Sequence, residues 1–253
     1  MAKFFTNFQS DPLNAEPAGF TVLNGPHANW LVIDSGGGDK QLLFDPVENS
    51  SNYGVLKIGD VESLNQQVFF SANNEDFESG STRGRFNALL RVSGTFSSAS
   101  FYNVSVGRIS GVNTLSIRKQ EGFNFTNAFR NLRGRAGSSL TMSAVSSTDY
   151  VNLRADVEVN GTGATVRAKY WLNDTDEPIP WDLEWADSAS LPSGHSYFTI
   201  ENLLEDVKVS GIGQGTNGET APSAPVATGP NTPINPSITS LLATSARLNW
   251  DQG

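Results

Sequence analysis

The sequence predicts an all-β protein, a two-sheet antiparallel sandwich with negligible helix. Its most regular stretch, residues 151–185, contains three candidate strands joined by short loops. From Val151 to Val159 apolar side chains alternate with polar ones, the period-two pattern of a strand with one buried face. The alternation resumes from Val166 to Leu172 after a glycine-rich turn, which predicts a hairpin. A third strand follows at Trp181–Trp185, so these strands are expected to form one sheet.

Composition supports the same fold class. Charged residues make up 17% of the 253-residue chain, which has 24 glycines and 12 prolines, a profile that favours short strands and turns. The 26 acidic residues outnumber the 17 basic ones, and a net charge of -9 argues against nucleic acid as the main partner. The chain has no cysteine, which excludes disulfides and thiol chemistry.

The N-terminal residues and the apolar stretches of the chain bear on export and membrane insertion. The N-terminal residues 1–17 contain no apolar segment of the length a signal peptide needs, and no stretch approaches a membrane span. The sequence therefore predicts a protein made in the cytoplasm, without membrane insertion.

Alternating apolar residues recur about every ten positions along most of the chain, as in sandwiches built from consecutive hairpins. The remaining predicted strands are 30–34, 41–44, 68–71, 86–92, 102–106, 115–117, 197–202 and 207–212. Residues 45–65 are expected to be mixed loop and short strand. Residues 73–84 form a predicted surface loop, and residues 121–137 a long loop or a short helix.

The alternation also predicts the core. One face of each strand must be buried between the sheets, and a shift of one residue would reverse the faces. The expected core contains Phe86, Leu90, Val104, Leu153, Val157, Val166, Ala168 and Leu183.

Composition changes abruptly after the last predicted strand. Residues 213–236 are rich in Pro, Gly, Thr and Asn without apolar periodicity, which is typical of a linker. The glycines at 211, 213 and 215 precede no helix, so they indicate the start of this linker rather than a phosphate-binding loop. Residues 237–253 regain strand character. The predicted division is a sandwich over 1–212, a linker over 213–236 and a short segment over 237–253.

Several short motifs resemble the concanavalin-A-like jelly rolls, the group that includes laminin-G-like, lectin and glucanase domains. They are the segment from Phe5 to Phe20, the strands Val166–Trp171 and Trp181–Trp185, the Leu191–Gly194 turn and the acidic residues before Val207. The resemblance spans residues 1–212 and implies two curved antiparallel sheets packed face to face.

A second resemblance covers the C-terminal segment. Residues 244–250, Thr-Ser-Ala-Arg-Leu-Asn-Trp, resemble the start of a fibronectin type III domain, whose second strand carries such a tryptophan. About twenty of the roughly one hundred residues of such a domain are present.

Catalytic groups were sought among carboxylates, histidines and serines. Some glucanases of the jelly-roll group carry three carboxylates at alternating positions of one strand. Here Asp156-Val-Glu158 and Asp182-Leu-Glu184 supply two each, pointing away from the packed face. Two histidines, His27 and His195, are too few for a zinc cluster, and no G-x-S-x-G motif is present. The sequence therefore predicts a protein that is not an enzyme.

Aromatic rings are the usual sugar contacts of lectin-like sheets, because a flat ring covers the apolar face of a pyranose. Trp171 lies opposite its neighbours Tyr170 and Leu172, on the face that carries Arg167 and Lys169. These three residues, Trp171, Arg167 and Lys169, form the candidate carbohydrate site. Trp181 and Trp185 are expected in the core.

Two further sites were considered. The jelly-roll resemblance implies a structural calcium where the N-terminal segment meets the last strand, and Asp206 occupies the matching place. An ordinary surface aspartate without cofactor is the alternative. Arg130 and Arg133 lie in an aromatic-rich segment and could contact a neighbouring subunit or an acidic polysaccharide, or be simply solvated.

A jelly roll followed by a linker and a fibronectin-type start is typical of proteins that work on surfaces. The missing export signal favours a non-enzymatic bacteriophage virion protein of the tail, fibre or baseplate, with assembly or host attachment as its role. Its expected partners are other virion proteins or a host-surface glycan, in a homo-oligomer. The alternative is a carbohydrate-binding accessory module of a secreted carbohydrate-active enzyme, and a glucanase-like catalytic domain is a third choice.

Overall fold

The computed structural model describes residues 3–24, 30–44, 53–74, 84–95, 97–109, 111–123, 135–173, 175–201 and 206–223. Strands are the only regular elements within these ranges, and there are fifteen of them. In chain order they are β1 Lys3–Thr6, β2 Phe20–Asn24, β3 Trp30–Asp34, β4 Lys40–Phe44, β5 Tyr53–Ser63, β6 Gln66–Asn74, β7 Arg85–Thr95, β8 Ser98–Ile109, β9 Val112–Phe123, β10 Arg135–Thr141, β11 Val151–Asn160, β12 Gly163–Leu172, β13 Leu183–Asp187, β14 Gly194–Glu201 and β15 Val207–Thr216.

The strands form two sheets in which every described pairing is antiparallel. Sheet A has the order β13-β12-β11-β6-β15-β4-β3, with β1 also pairing to β15. Sheet B has the order β10-β9-β8-β7-β14-β5-β2. Strands distant in sequence are neighbours in both sheets, so the chain crosses between the sheets repeatedly. The predicted all-β sandwich is confirmed.

The predicted hairpin at residues 151–172 is also confirmed. Val151 lies opposite Leu172 and Asn160 opposite Gly163, so the register is continuous along the pair. Gly161 at the turn has a φ of 61°. A residue with a side chain rarely adopts this left-handed conformation, which explains the glycine at this point.

The core lies between the inner faces of the two sheets. All eight residues predicted for it are at most 8% exposed and belong to one hydrophobic cluster. Trp30 from sheet A packs on Phe44, with ring centroids 4.5 Å apart, and approaches Phe198 of sheet B at 6.3 Å. A Cβ at Gly54 would collide with the Trp30 ring, so a glycine lets β5 pass close to this tryptophan.

Some elements differ from the prediction. β5 is an eleven-residue strand within residues 45–65, where mixed loop and short strand were expected. Its sequence contains Gly54 and Gly59, and Gly59 has a φ of 58°, so its composition does not resemble that of a regular strand. β13 starts at Leu183, two residues after the predicted start at Trp181.

The two predicted loops are only partly described. β9 extends to Phe123 and β10 begins at Arg135, so both ends of the predicted loop 121–137 belong to strands. Residues 124–134 of this loop lie outside the described residues, as do residues 75–83 of the loop predicted at 73–84.

The C-terminal end of the sandwich extends further than predicted. β15 continues to Thr216, so residues 213–216, assigned to the linker, belong to sheet A. The chain then folds back over the outer face of β15, and Ala221 is 1% exposed. A Cβ at Gly213 would meet the Pro222 carbonyl, and one at Gly215 the Glu219 carbonyl. These glycines therefore permit a close crossing of two chain segments.

Residues 224–253 lie outside the described residues. The rest of the predicted linker and the fibronectin-like segment at 237–253 therefore stay predictions. Among the residues that the structure describes, no helix has the length and apolar character needed to cross a membrane.

Candidate functional site

The surface predicted around Trp171 lies on the outer face of sheet A, where Trp171, Lys169 and Arg167 share one face of β12 as expected. The Trp171 side chain is covered, however. It is 8% exposed and stacks on Phe69 with ring centroids 5.8 Å apart, in a cluster that includes Ala221. The expectation of an exposed Trp171 ring is therefore wrong, because the chain after β15 folds back over this part of the sheet.

Lys169 is held by a buried ion-pair network. Its Nζ lies 2.8 Å from Glu177 Oε1 and donates a hydrogen bond to the Pro178 carbonyl at 2.7 Å. The Lys169 ammonium also lies 4.9 Å from the ring centroid of Trp181, a cation–π contact. Trp181 thus packs over a lysine outside the sheet rather than in the core.

Arg154 completes this network from β11. It donates to both carboxylate oxygens of Glu177, at 2.6 and 2.8 Å, and its side chain is 4% exposed. Burial alone would raise the pKa of Glu177, but the hydrogen bonds from Arg154 and Lys169 hold that pKa below its ordinary value. The network fastens the loop around Glu177 to the sheet, which is a structural role.

Arg167 contacts three of the four carboxylates that were weighed against the glucanase motif. Its guanidinium lies 3.4 Å from Asp156, 2.9 Å from Glu158 and 2.9 Å from Glu184. Burial and the neighbouring Glu158 raise the pKa of Asp156 to about 6. The Arg167 side chain is one-quarter exposed, and its Nε and Nη1 groups are engaged by these acids.

The remaining predicted sites are the calcium site at Asp206 and the interface residues Arg130 and Arg133. Asp206 is exposed and directly precedes β15. In the ranges that the structure describes, no group of three or more His, Asp or Glu side chains could hold a metal ion, and calcium at Asp206 stays a prediction. Arg130 and Arg133 lie outside the described residues.

The outer face of sheet B presents a different kind of surface. In β7 the residues Phe86, Ala88 and Leu90 enter the core, so Asn87 and Leu89 face outward. Register places Asn87 opposite Thr199 of β14 and Ser105 of β8. Ser105 in turn lies opposite Ser116 of β9. We call the four residues Thr199, Asn87, Ser105 and Ser116 the polar row.

The polar row is buried and incompletely paired. Its members are at most 3% exposed, and the hydroxyls of Ser105 and Ser116 bond to each other at 2.7 Å. Within the described part of the chain, neither amide atom of Asn87 has a hydrogen-bond partner. No donor or acceptor reaches the Thr199 hydroxyl there either. Asn103, in the adjacent row on β8, is 1% exposed and has the same unpaired amide. Buried amides without partners are rare in folded proteins.

An open pocket lies on the same side of sheet B, at the start of β14. It has a volume of about 510 Å³, within the range of small-molecule sites. Apolar side chains and one ring form part of its lining, and charged or hydroxyl groups form the rest. The lining includes Leu23, Val92, Ala99 and Tyr197 on the apolar side, and Glu62, Ser93, Ser193 and His195 on the polar side. We call it the β14 pocket.

His195 and Glu62 form the polar pair of the β14 pocket. His195 Nε2 lies 3.3 Å from Glu62 Oε1, and the Glu62 side chain is 60% exposed. Burial and the positive charge of Lys57 lower the pKa of His195, although Glu62 and Asp60 oppose this shift. His195 is therefore neutral at pH 7, and the Glu62 carboxylate is available to accept hydrogen bonds from a ligand.

Sequence patterns do not predict this pocket or the polar row. Alternation separates outward-facing from inward-facing residues, but it does not show which outward-facing residues form a site. Asn87 and Asn103 each lie in the middle of a strand, where asparagine is uncommon. Their positions were the one sign in the sequence that these strands carry an unusual polar row. His195 is one of only two histidines, and in the sequence it bears only on the absence of a zinc cluster.

Comparison with known proteins identifies the fold. No protein-family model and no curated protein matches the sequence. Among solved structures, a legume lectin-like domain from Entamoeba histolytica has a TM-score of 0.51 at 10% identity, covering 79% of this chain and 91% of that one. The metal-free carbohydrate recognition domain of Emp46p has a TM-score of 0.51 at 10% identity, with 83% and 97% covered.

Lectin II from Ulex europaeus gives a similar result, a TM-score of 0.51 at 11% identity with 84% and 97% of the two chains covered. In each comparison nearly the whole lectin domain is matched by the two-sheet sandwich. At these identities the likeness concerns the fold alone. The chain therefore has the lectin-like, concanavalin-A-like jelly-roll fold that the sequence motifs predicted.

Proposed function

We propose that this chain is a non-enzymatic carbohydrate-binding domain and that the β14 pocket receives a sugar unit. The observation that carries the proposal is the two-sided lining of this open pocket. A pyranose has apolar C–H faces and a rim of hydroxyls, so it needs a ring or aliphatic wall together with hydrogen-bonding groups. Tyr197 and Leu23 provide the first, and Glu62 with Ser93 provides the second.

The fold is compatible with this role. The solved structures of similar fold carry names that denote lectins or carbohydrate recognition, and we extend that activity to this chain as part of the proposal. The candidate site moves from Trp171 on sheet A to the β14 pocket, because Trp171 is covered and its neighbours Lys169 and Arg167 are engaged in ion pairs.

Binding is favoured over hydrolysis by the state of the carboxylates. Glycoside hydrolysis needs two carboxyl groups on either side of one bond, about 5 to 10 Å apart. Asp156, Glu158 and Glu184 all engage Arg167 on the opposite sheet from the pocket. Among the described residues that line the β14 pocket, Glu62 is the sole carboxylate.

The biological setting that we propose is a bacteriophage virion, where the domain would belong to a tail, fibre or baseplate protein. Its partners there would be a host-surface glycan and other virion proteins, in a homo-oligomer. The alternative setting is an accessory module of a secreted carbohydrate-active enzyme.

A glycan array tests the binding proposal. The 253-residue chain should bind at least one class of neutral glycan, and Tyr197→Ala should lose that signal. Trp181→Ala changes an aromatic residue that packs over the outer side of sheet A, and this variant should retain the signal. A folded wild-type chain that binds no glycan on the array would overturn the proposal. Peptide mass spectrometry of purified virions and of culture medium would then distinguish the two settings.

A further inference from the structure

Arg91 lies directly beside the β14 pocket and has two costly features. It precedes Val92 and Ser93, which line the pocket, and its side chain is completely buried. Its backbone has a φ of 53°, a left-handed conformation that is unfavourable for a residue with a side chain. The described acceptors of its guanidinium are carbonyls and a hydroxyl, which carry no counter-charge. A strained backbone and a buried charge both oppose folding, and such residues cluster at functional sites.

The unusual backbone of Arg91 belongs to a β-bulge that shapes the pocket. Leu89 and Val92 of β7 lie opposite Tyr197 and His195 of β14, so three steps along β7 match two along β14. The same excess residue appears between β7 and β8. In a regular strand, residues three apart point to opposite faces, but Leu89 and Val92 belong to one cluster on the outer face. The bulge therefore lets Val92, His195 and Tyr197 line the same pocket.

The Arg91 guanidinium joins this bulge to the segment that leads into β14. Its Nη1 donates to the Ser190 hydroxyl and to the Leu191 carbonyl, the latter at 3.2 Å. Pro192 and Ser193 follow immediately, and both line the pocket. One buried side chain thus sets the separation between two parts of the pocket wall.

Gln66 of β6 provides a second connection, from the opposite sheet. It is 2% exposed, its Oε1 accepts the Arg91 backbone N–H at 2.6 Å, and its Nε2 donates to the Gly194 carbonyl. Gly194 directly precedes His195, and a Cβ at Gly194 would collide with the Val92 carbonyl. The start of β14 therefore lies tightly against the bulge, and both are fixed from the interior of the sandwich.

We propose that Arg91 is a positioning residue of the β14 pocket, which holds the bulge of β7 and residues 190–194 at the separation that a ligand requires. This inference rests on the proposed function of the pocket. The guanidinium lies 5.8 Å from the ring centroid of Tyr102, a core residue, so it is on the inner side of sheet B. Arg91 therefore acts through the segments that it joins and makes no contact with the ligand itself.

The test compares two buried arginines. Arg91→Lys keeps the charge but lacks the planar fork that reaches the Ser190 hydroxyl and the Leu64 carbonyl at once. Arg154→Lys is the matched control, because Arg154 is 4% exposed and holds the loop around Glu177 on the outer face of sheet A. Both variants should unfold at lower urea concentrations than the wild type. Calorimetry then measures binding of cellotetraose, chitotetraose and the array glycan with the strongest wild-type signal.

A second readout needs no ligand. The chain has two histidines, so the imidazole NMR signals of His195 are assigned by comparison with His195→Gln. In Arg91→Lys these signals should move from their wild-type positions at neutral pH, because the segments around His195 are displaced. In Arg154→Lys they should stay in place. Loss of stability alone would not distinguish the two variants in this way.

Arg91→Lys should bind about tenfold more weakly than the wild type, since displaced groups lose contact geometry, whereas Arg154→Lys keeps wild-type affinity. The inference requires both the weaker binding and the shifted His195 signals in Arg91→Lys. A folded Arg91→Lys protein that lacks either effect would overturn it, as would equal effects in Arg154→Lys. If the wild type binds no glycan, the proposed function fails, and the His195 signals alone decide whether Arg91 sets the pocket geometry. If Arg91→Lys does not fold, Ser190→Ala is measured in its place and should show the same two effects.

Discussion

Asn87 of β7 lies directly opposite Thr199 of β14, and both side chains are completely buried without a hydrogen-bond partner in the described part of the chain. Two neighbouring polar residues in such a position oppose folding, because each lost the hydrogen bonds that it made to water in the unfolded chain. The opposed pair is therefore expected to lower the stability of the fold.

The first prediction follows from this pair. Asn87→Val should raise the free energy of unfolding by about 1 kcal/mol, because it removes an unpaired amide and places a good strand former in β7. Asn152→Val should lower it by about 1 to 3 kcal/mol, since it leaves the Asn173 carbonyl without its donor. Urea denaturation of the two variants measures both changes. Destabilisation of similar size in both would show that the Asn87 amide has partners in solution, such as buried water.

The second prediction concerns the Arg154–Glu177–Lys169 network. Glu177→Gln removes the carboxylate that receives two hydrogen bonds from the nearly buried Arg154. An Arg154 guanidinium without its counter-charge should destabilise the fold by about 2 kcal/mol, less than for a fully buried pair because Glu177 is 27% exposed. Glu184→Gln, at a carboxylate that is 61% exposed, should change stability by less than about 0.5 kcal/mol. Chemical denaturation at low salt tests the difference, and equal effects would contradict it.

The third prediction uses the raised pKa of Asp156. Because its pKa is about 6 in the folded protein against an ordinary 3.8, the native state binds a proton more tightly than the unfolded state. Stability linked to this group is therefore fully present below pH 4 and is lost as the pH rises through 6. Asp156→Asn does not titrate, so its stability relative to the wild type should increase from pH 4 to pH 7, by about 2 to 3 kcal/mol. Thermal melts across this range measure it, and a parallel pH profile for both proteins would refute it.

The fourth prediction concerns the crossing of β15 by the chain that follows it. Gly215→Ala places a methyl group against the Glu219 carbonyl, so residues 217–223 should detach from sheet A. Limited proteolysis should then cut within 217–223 much faster than in the wild type. Ser210→Ala, a change on the same strand away from the crossing, should keep the wild-type pattern. Unchanged proteolysis of Gly215→Ala would mean that the crossing adapts without detaching.

Sequence patterns predicted the core and the hairpin well because both follow from alternation. Val157, Val166 and Leu183 had to face the same side, and one register satisfies all the strands around them. The state of Trp171 was not predictable in this way. Its cover includes Ala221, which lies fifty residues away in a stretch with linker composition. Alternation gives the face of a strand to which a side chain points, but it does not give what lies above that face.

The polar row shows the same limit of prediction from sequence alternation. Thr199 lies 112 residues after Asn87 and 94 after Ser105, and only the strand order of sheet B makes them neighbours. That order requires β14 to insert between β5 and β7, a crossover that periodicity does not encode. A site assembled from non-consecutive strands is therefore visible only once the topology is known.

The last prediction addresses the β14 pocket and its dependence on pH. Tyr197→Ala should weaken glycan binding at least tenfold, because one stacked ring contributes about 0.5 to 1.5 kcal/mol beyond the area it buries. Tyr197→Phe keeps the ring and should bind within about threefold of the wild type. Calorimetry with the best array glycan measures all three proteins. Equal affinity of Tyr197→Ala and the wild type would exclude stacking on this ring.

The pH dependence follows from the groups around His195, which are Lys57, Asp60 and Glu62 from β5. The pKa of His195 lies below its ordinary 6.5, so the ring is mostly neutral at pH 7 and above and gains its charge in more acidic solution. Once charged, the imidazolium pairs with Glu62, 3.3 Å away, and competes with ligand hydroxyls for that carboxylate. Affinity should therefore change little between pH 8 and 7 and fall as the solution becomes more acidic. His195→Gln, which has no charge to gain, should bind with an affinity independent of pH in this range, and a wild-type decline that persists in His195→Gln would assign the effect to another group.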